Sequence, residues 1–253
     1  MFDFFFWRRE LRPLPYTREM HCHLIPGVDD GSQRMKFTME ALAALENFGV
    51  EKVIFTPHYT NPSFLNYPDK IAPLFEEVKS EVKASDLEIE CENFSFEYRM
   101  DKSFEDMVDA GAPGTPECQI RALKGNAILI ENGWRHSYDN LEELVDKLKA
   151  QGYRPIMAHP ERYSYFSGQR GEHYQRLHEM GIEFQCNILS FAGYYGAMER
   201  EMALWMLKNG YVSFLGSDMH NQRHIELIEK YLRSSEYADI EDDMIDSILN
   251  DRL

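Results

Sequence analysis

No apolar run in the chain approaches the ~20 residues that a membrane-spanning helix needs, so an integral helical membrane protein is excluded. Paired cysteines are missing too. Cys22, Cys91, Cys118 and Cys186 stand apart without a CxxC spacing. No secretory signal precedes them, and a reduced, cytoplasmic chain is the expectation. None of the four has an arginine six positions later, so the chain lacks a Cys-x5-Arg phosphate loop and cysteine is not its expected phosphate nucleophile. Positive charge is scarce: 27 basic against 43 acidic residues leave a net charge of −16. Such a surface repels nucleic acid, and an anionic substrate would need a site made locally positive by metal or arginine. The acidic segment Ile240–Asp246 reads as a solvated helix face. No repeat, low-complexity tract or linker divides the 253 residues, a length that one α/β barrel fills. The opening run Met1–Arg9 puts its aromatics before its arginines, the reverse of a secretory signal. It is read as a tail packed on the domain, with an interfacial contact as the alternative.

What is present alternates. Met35, Met39, Leu42 and Leu45 recur at helical spacing; Leu141, Leu144, Val145 and Leu148 do the same, with Asn140 and Glu143 as a capping box and Gly152 as the stop. Between such segments lie short β-branched or apolar runs. These predict strands at Glu19–His23, Val53–Phe55, Asn93–Tyr98, Ala127–Glu131, Pro155–Ala158, Ile182–Cys186 and Val212–Leu215. Strands alternating with helices imply parallel βαβ units, hence an α/β barrel or a doubly wound sheet.

Polar residues follow these runs. Phe55 leads to Thr56-Pro57-His58, Ile130 to Glu131, Ala158 to His159-Pro160-Glu161-Arg162, and Leu215 through Gly216-Ser217 to Asp218-Met219-His220. Carboxyl ends of parallel strands converge on one face, where active sites form. In a strand, residues two apart point the same way, so His21 and His23 present two imidazoles together while Cys22 faces away. A lone His-x-His is weak evidence, Glu131 alone could be a surface carboxylate, and His159 alone a core histidine. Coincidence across several strand ends carries the argument. Imidazole and carboxylate donors suit zinc, manganese or iron(II), and so many of them exceed the needs of one ion, pointing to a polynuclear site. Gly27-Val28-Asp29-Asp30-Gly31 reads as a turn, with Ser32 opening the next helix. Arg162 and Arg223 would reach the same face and clamp phosphate, although a surface salt bridge competes for Arg223. His136, His173, His178 and His224 lack strand-end placement and are read as ordinary.

His21-Cys22-His23-Leu24-Ile25-Pro26-Gly27-Val28-Asp29-Asp30-Gly31, Thr56-Pro57-His58, His159-Pro160-Glu161-Arg162-Tyr163 and Ser217-Asp218-Met219-His220-Asn221 resemble the polymerase and histidinol phosphatase (PHP) family. The nearer likeness is to its bacterial protein-tyrosine phosphatase branch of capsule and exopolysaccharide biosynthesis. The resemblance implies a distorted (β/α)7 TIM-like barrel over residues 19–253, preceded by an extension of residues 1–18. It implies up to three divalent ions, manganese first, with iron, zinc or magnesium as alternatives. Their ligands would be His21, His23, Asp30, His58, Glu97, Glu131, His159, Asp218 and His220, with Glu88, Glu90 and Glu92 as register rivals to Glu97. Arg162, Arg223 and His220 would act on the substrate. The implied partner is a phosphotyrosine protein, a membrane-associated bacterial tyrosine kinase reached from the cytoplasm at the inner membrane surface. One departure is visible: the family usually opens Asp-x-His-x-His, and Glu19 stands at the Asp position, where it could alter support for His21.

The expected chemistry is in-line attack of water on phosphorus, with ions and arginines absorbing charge. A phenolate leaving group, pKa about 10, needs less acid assistance than an alkoxide. Tyr59, Tyr163, Tyr194 and Tyr195 are candidates for an aromatic wall, core packing being the commoner role. Three rivals stand: a small-molecule phosphomonoesterase such as histidinol phosphatase, a metal-dependent amidohydrolase, for which no bridging lysine is evident, and a non-catalytic, metal-stabilised module that binds a kinase.

Overall fold

The computed structural model describes residues 10–111, 120–169 and 171–253; Cys118 and the Met1–Arg9 run lie outside them. Among the described residues the strands are β1 (Arg18–Glu19), β2 (Lys52–Phe55), β3 (His58–Tyr59), β4 (Glu90–Phe94), β5 (Glu97–Arg99), β6 (Ala127–Glu131), β7 (Arg154–Ala158), β8 (Glu183–Asn187) and β9 (Val212–Gly216). Every strand pairing is parallel, in the orders β1-β2-β4 and β3-β5-β6-β7-β8-β9.

Nine strands make seven staves, because two staves are broken. Pro57 has no N–H to give a ladder and separates β2 from β3, while Thr56 donates its N–H to Cys22 O (3.0 Å) instead. The expected single strand Asn93–Tyr98 is likewise two, β4 and β5. At the break, Ser95 N–H still donates to Phe55 O (2.8 Å) and its hydroxyl donates to Arg121 O (2.5 Å). The expected strand Glu19–His23 is also shorter than predicted. Only Arg18–Glu19 joins a ladder, and the chain beyond runs against the last stave through a Cys22–Met219 bridge. Asp218 N–H donates to His21 O (2.9 Å) and His23 N–H to Met219 O (3.1 Å), which closes the ring. The result is the distorted seven-stave α/β barrel that the resemblance implied.

Helices cover the outside. α1 (Met35–Asn47) buries Ala41, Leu42 and Leu45. It begins at Met35 rather than near Ser32, because Ser32 N–H is committed to His23 O (2.8 Å) and holds the preceding turn. α2 (Pro68–Ala84) and α3 (Lys102–Ala110) follow. α4 (Leu141–Ala150) buries the predicted face, Leu141, Leu144, Val145 and Leu148, but the Asn140 side chain makes no capping hydrogen bond. α5 (Glu172–Glu179), α6 (Ile188–Phe191), α7 (Ala197–Lys208) and α8 (Gln222–Leu232) complete the layer beside the site.

A separate apolar cluster packs Met20, Ile54, Leu129, Ile156, Phe214 and the buried Leu253. The C-terminal segment also mends the ring where β1 and β9 do not pair. Asn250 Oδ1 accepts from Leu215 N–H (3.0 Å), and its Nδ2 donates to Leu215 O (2.7 Å) and Arg18 O (3.1 Å). Leaving these buried groups unpaired costs about 2–4 kcal/mol. Asn250→Ala should therefore lower the melting temperature by roughly 5–10 °C in calorimetry; an unchanged transition would refute this account of closure. Upstream, Leu14 and Tyr16 are buried in the main core, so the described part of the leading segment is packed on the barrel.

Candidate metal centre

The carboxyl ends of the staves meet as expected. Four overlapping groups place one donor atom per residue within 4.8 Å of each other: His23, Asp30, His58 and His220; His21, Glu97 and His159; His21, His23 and Asp218; His58, Glu97 and Glu131. All nine ligand candidates are thereby brought together, and His21, His23, His58 and Glu97 each serve two groups. Glu90 and Glu92 point elsewhere, to Lys52 (3.1 Å) and Arg18 (2.7 Å), and it is Glu97 that stands among the imidazoles.

Second-sphere partners aim the imidazoles. His21 Nδ1–H donates to Gln185 Oε1 (2.6 Å), His23 Nδ1–H to Asp29 Oδ2 (2.9 Å) and His220 Nδ1–H to the Asp218 carbonyl (2.8 Å). Each thereby directs its Nε2 into the site, and the Nε2 atoms of His21 and His23 stand 3.2 Å apart. Asp29, read from sequence as a turn residue, is also a buried anchor, accepting the N–H of His58 (3.0 Å) and of Gly31 (3.0 Å). Gly31 must be glycine here, since a Cβ would overlap the carbonyl and Cβ of His23. Asp30 sits at the outer rim, its side chain 60% exposed and Oδ1 3.4 Å from His58 Nε2.

Glu97 lies at the centre. Its Oε1 is 2.8 Å from His159 Nε2, and its Oε2 is 2.9 Å from His58 Nδ1. Burial opposes ionisation of Glu97, yet the imidazoles of His21, His58 and His159 overcome it and hold the carboxyl well below the usual range. Asp218 behaves alike: burial opposes its charge, and His21 and His220 outweigh that. Despite their short separations, His58 Nδ1, Glu97 Oε2, Glu131 Oε2 and His159 Nδ1 are buried without a hydrogen-bond partner. Buried polar atoms are rarely left so. Imidazole and carboxylate donors converging in this way, several of them without a hydrogen-bond partner, suit divalent ions. Backbone strain marks the same place. His159 (φ +37°) and Asp218 (φ +48°), at the ends of β7 and β9, occupy the left-handed region without being glycine.

Glu19 does not reach the imidazoles. Its Oε1 accepts His21 N–H (2.8 Å), and its Oε2 accepts Ser217 N–H (3.1 Å) and the Tyr16 hydroxyl (3.0 Å). It ties the first stave to the last beneath the site, while Gln185 orients His21.

Above the donors lies an open cleft of about 870 Å³. Arg162 lines it, donating to Asp218 Oδ2 (3.0 Å) and sandwiched between Trp134 (4.3 Å) and Tyr195 (3.8 Å). Arg223 lies exposed at the rim, 5.9 Å from the Tyr194 ring. Of the aromatic candidates, Tyr194 and Tyr195 line the cleft, whereas Tyr59 and Tyr163 are core.

Three residues were missed from sequence. Arg99 approaches Glu131 Oε2 (3.4 Å); its place two residues after Glu97, on the same strand face, was the available signal. Trp134 sits on a loop three residues beyond Glu131, where no periodicity speaks. His224, read from sequence among the ordinary surface or structural histidines, lines the cleft: burial drives its pKa down to about 4, and its Nδ1 lies 3.2 Å from the Asp218 carbonyl and 3.3 Å from the His220 amide. The Asp218-x-His220-x3-His224 spacing could have revealed it. His136 and His178 are exposed, as expected, and His173 is partly exposed.

The chain is similar to known proteins along most of its length. It is 26% identical to tyrosine-protein phosphatase YwqE of Bacillus subtilis over 204 residues, 80% of this chain and 77% of that one. It is 26% identical to tyrosine-protein phosphatase CpsB of Streptococcus pneumoniae over 210 residues, 80% and 82%. A structure from a crystallographic study of YwqE and CpsB, described as metal-dependent tyrosine phosphatases, matches with TM-score 0.73 and 24% identity over 92% of this chain and 95% of that one. The Escherichia coli phosphotriesterase homology protein, solved with phosphate in its active site, matches at TM-score 0.55 and 14% identity over 93% and 96%. Residues 17–236 match the family of capsular polysaccharide synthesis CpsB/CapC, and the chain belongs to that family.

Proposed function

We propose that this chain is a metal-dependent protein-tyrosine phosphatase, with residues 19–253 as its single catalytic unit and residues 1–18 as an extension. The observation that carries the reading is the convergence of nine imidazole and carboxylate donors, four atoms of them buried without a hydrogen-bond partner, at the floor of an open cleft. His21, His23, Asp30, His58, Glu97, Glu131, His159, Asp218 and His220 would hold the ions, with manganese the proposed resident. When bound, such ions supply Lewis acidity toward the phosphoryl oxygens and acidify water.

The chain's own groups do the rest. Arg162, fixed by Asp218 and two aromatic faces, offers its remaining donors to an equatorial phosphoryl oxygen, and Arg223 meets the phosphate from the rim. In a protein of net charge −16 these guanidiniums supply the local attraction an anion needs. His220, with 16% of its side chain exposed, faces the cleft, and as the acid that protonates the leaving oxygen it would carry a proton on Nε2 in place of an ion. No lysine lines the cleft among its described residues, which disfavours the amidohydrolase reading.

The relatives' names point to a phosphotyrosine protein as substrate, and we propose a membrane-associated tyrosine kinase met from the cytoplasm at the inner membrane surface. None of the described helices is long and apolar enough to cross a membrane. Elemental analysis with side-by-side assays on a phosphotyrosine peptide and histidinol phosphate tests the reading. Chelator should abolish peptide turnover and manganese restore it, with the peptide preferred. Bound metal without turnover of either substrate would instead favour the kinase-binding module.

A further inference from the structure

Trp134 enters the reading above only as a brace for Arg162, yet it is the least buried aromatic in the cleft. Of the large apolar side chains that stand exposed among the described residues, only Trp134, at 45%, lines the cleft. Leaving an indole in water forfeits its burial energy unless something covers it. The loop is built to keep it there. Ahead of the indole, Asn132 N–H donates to the Tyr163 hydroxyl (2.8 Å), and the Tyr165 hydroxyl donates to Gly133 O (2.8 Å). Gly133 itself has no room for a side chain, since a Cβ would stand 2.6 Å from His136 O. Beyond the indole, Asn132 Oδ1 accepts Tyr138 N–H (3.3 Å).

The indole also touches the centre. It stacks on the His159 imidazole with ring centroids 5.2 Å apart at 24°, and the Arg162 guanidinium lies 4.3 Å from its ring. A phosphate held by Arg162 thus carries its ester group beside a flat, prepositioned aromatic surface. Tyr195 offers less: it is less exposed than Trp134, Arg162 lies nearer its ring (3.8 Å), and its hydroxyl is engaged by Asn187 Nδ2 (3.3 Å).

We propose that the substrate's phenyl ring packs on the Trp134 indole, and that this contact makes the cleft selective for aryl over alkyl phosphomonoesters. The proposal rests on the phosphatase reading and names the residue that sets its leaving-group preference. Aromatic pairing gains more than burial of an equal aliphatic area, and a flat indole rewards a flat ring.

The test compares kcat/KM for a phosphotyrosine peptide and the same peptide bearing phosphoserine, in metal-loaded wild type, Trp134→Ala and Trp134→Phe. Trp134→Ala should lose about tenfold more on phosphotyrosine than on phosphoserine, the loss common to both peptides reporting its bracing of Arg162, and Trp134→Phe should keep the wild-type ratio of the two within about threefold. Equal losses on the two peptides would overturn the proposal, because they would mean that the indole acts only by bracing Arg162. Competition between phenylphosphonate and methylphosphonate supplies a binding readout free of turnover. Wild type should favour the phenyl compound by about tenfold, and Trp134→Ala should erase that preference. If wild type keeps the phenyl preference but hydrolyses neither peptide, the phosphatase reading fails and the aryl surface stands. If wild type hydrolyses phosphotyrosine and Trp134→Ala leaves the phenyl preference intact, the surface is refuted and the reading stands. Trp134→Phe, which preserves a ring, covers the case in which Trp134→Ala does not fold.

Discussion

Glu97→Gln should reduce phosphatase activity roughly a thousandfold, the equivalent of about 4 kcal/mol of lost transition-state stabilisation. The substitution keeps the shape and removes the charge at the point where two donor groups join. Glu97 Oε1 faces His159 and His21 (2.8 and 3.5 Å), and Oε2 faces His58 and His23 (2.9 and 3.4 Å). A neutral amide would bring an N–H into a ring of imidazoles already aimed inward by Gln185 and Asp29. Metal per chain, measured by elemental analysis, should fall in parallel with kcat. A Glu97→Gln enzyme with full metal content and normal kcat would remove Glu97 from the centre. His173→Ala, on a helix away from the cleft, is the control and should behave as wild type.

Arg162→Ala should lower kcat/KM by about 10²–10³-fold, the effect of removing one preorganised donor to developing charge, while leaving metal content unchanged. The guanidinium is fixed before substrate arrives by Asp218, Trp134 and Tyr195, so no ordering is needed at the moment of reaction. Arg162→Lys should recover little, because an ammonium can neither fork toward two oxygens nor fill the aromatic sandwich. Arg223, exposed at the rim, should matter less and mainly through KM. Loss of metal in Arg162→Ala would show that the residue maintains the centre and not the substrate.

Much of this site could be read without coordinates, for a physical reason. Parallel strands deliver their carboxyl ends to one face, so His58, Glu131, His159 and Asp218, each following an apolar run, had to meet whatever the details of the barrel. Glu97 was placed by resemblance, and its ion pairs with His58 and His159 now give that position a geometry. The losses were local. The strand breaks at Thr56-Pro57 and Ser95-Phe96 come with a backbone hydrogen bond from Thr56 to Cys22 and a hydroxyl bond from Ser95 to Arg121, partners distant in sequence. The start of α1 moved from Ser32 to Met35 because Ser32 serves His23. Trp134 stands on an irregular loop held by Tyr163 and Tyr165, and nothing in its own neighbourhood foretells those contacts. Glu19 shows the converse. Its departure from the family pattern was legible, but its partners, the amides of His21 and Ser217, were not.

The central claim is that these nine residues form one polynuclear metal centre that hydrolyses phosphate esters. Titration of metal-free protein with manganese, following bound ion per chain and phosphotyrosine turnover in the same samples, tests it most directly. The account predicts more than one ion bound per chain at full activity, and loss of both metal and turnover in His21→Ala. Full turnover with no ion bound, or with His21→Ala as active as wild type, would contradict it.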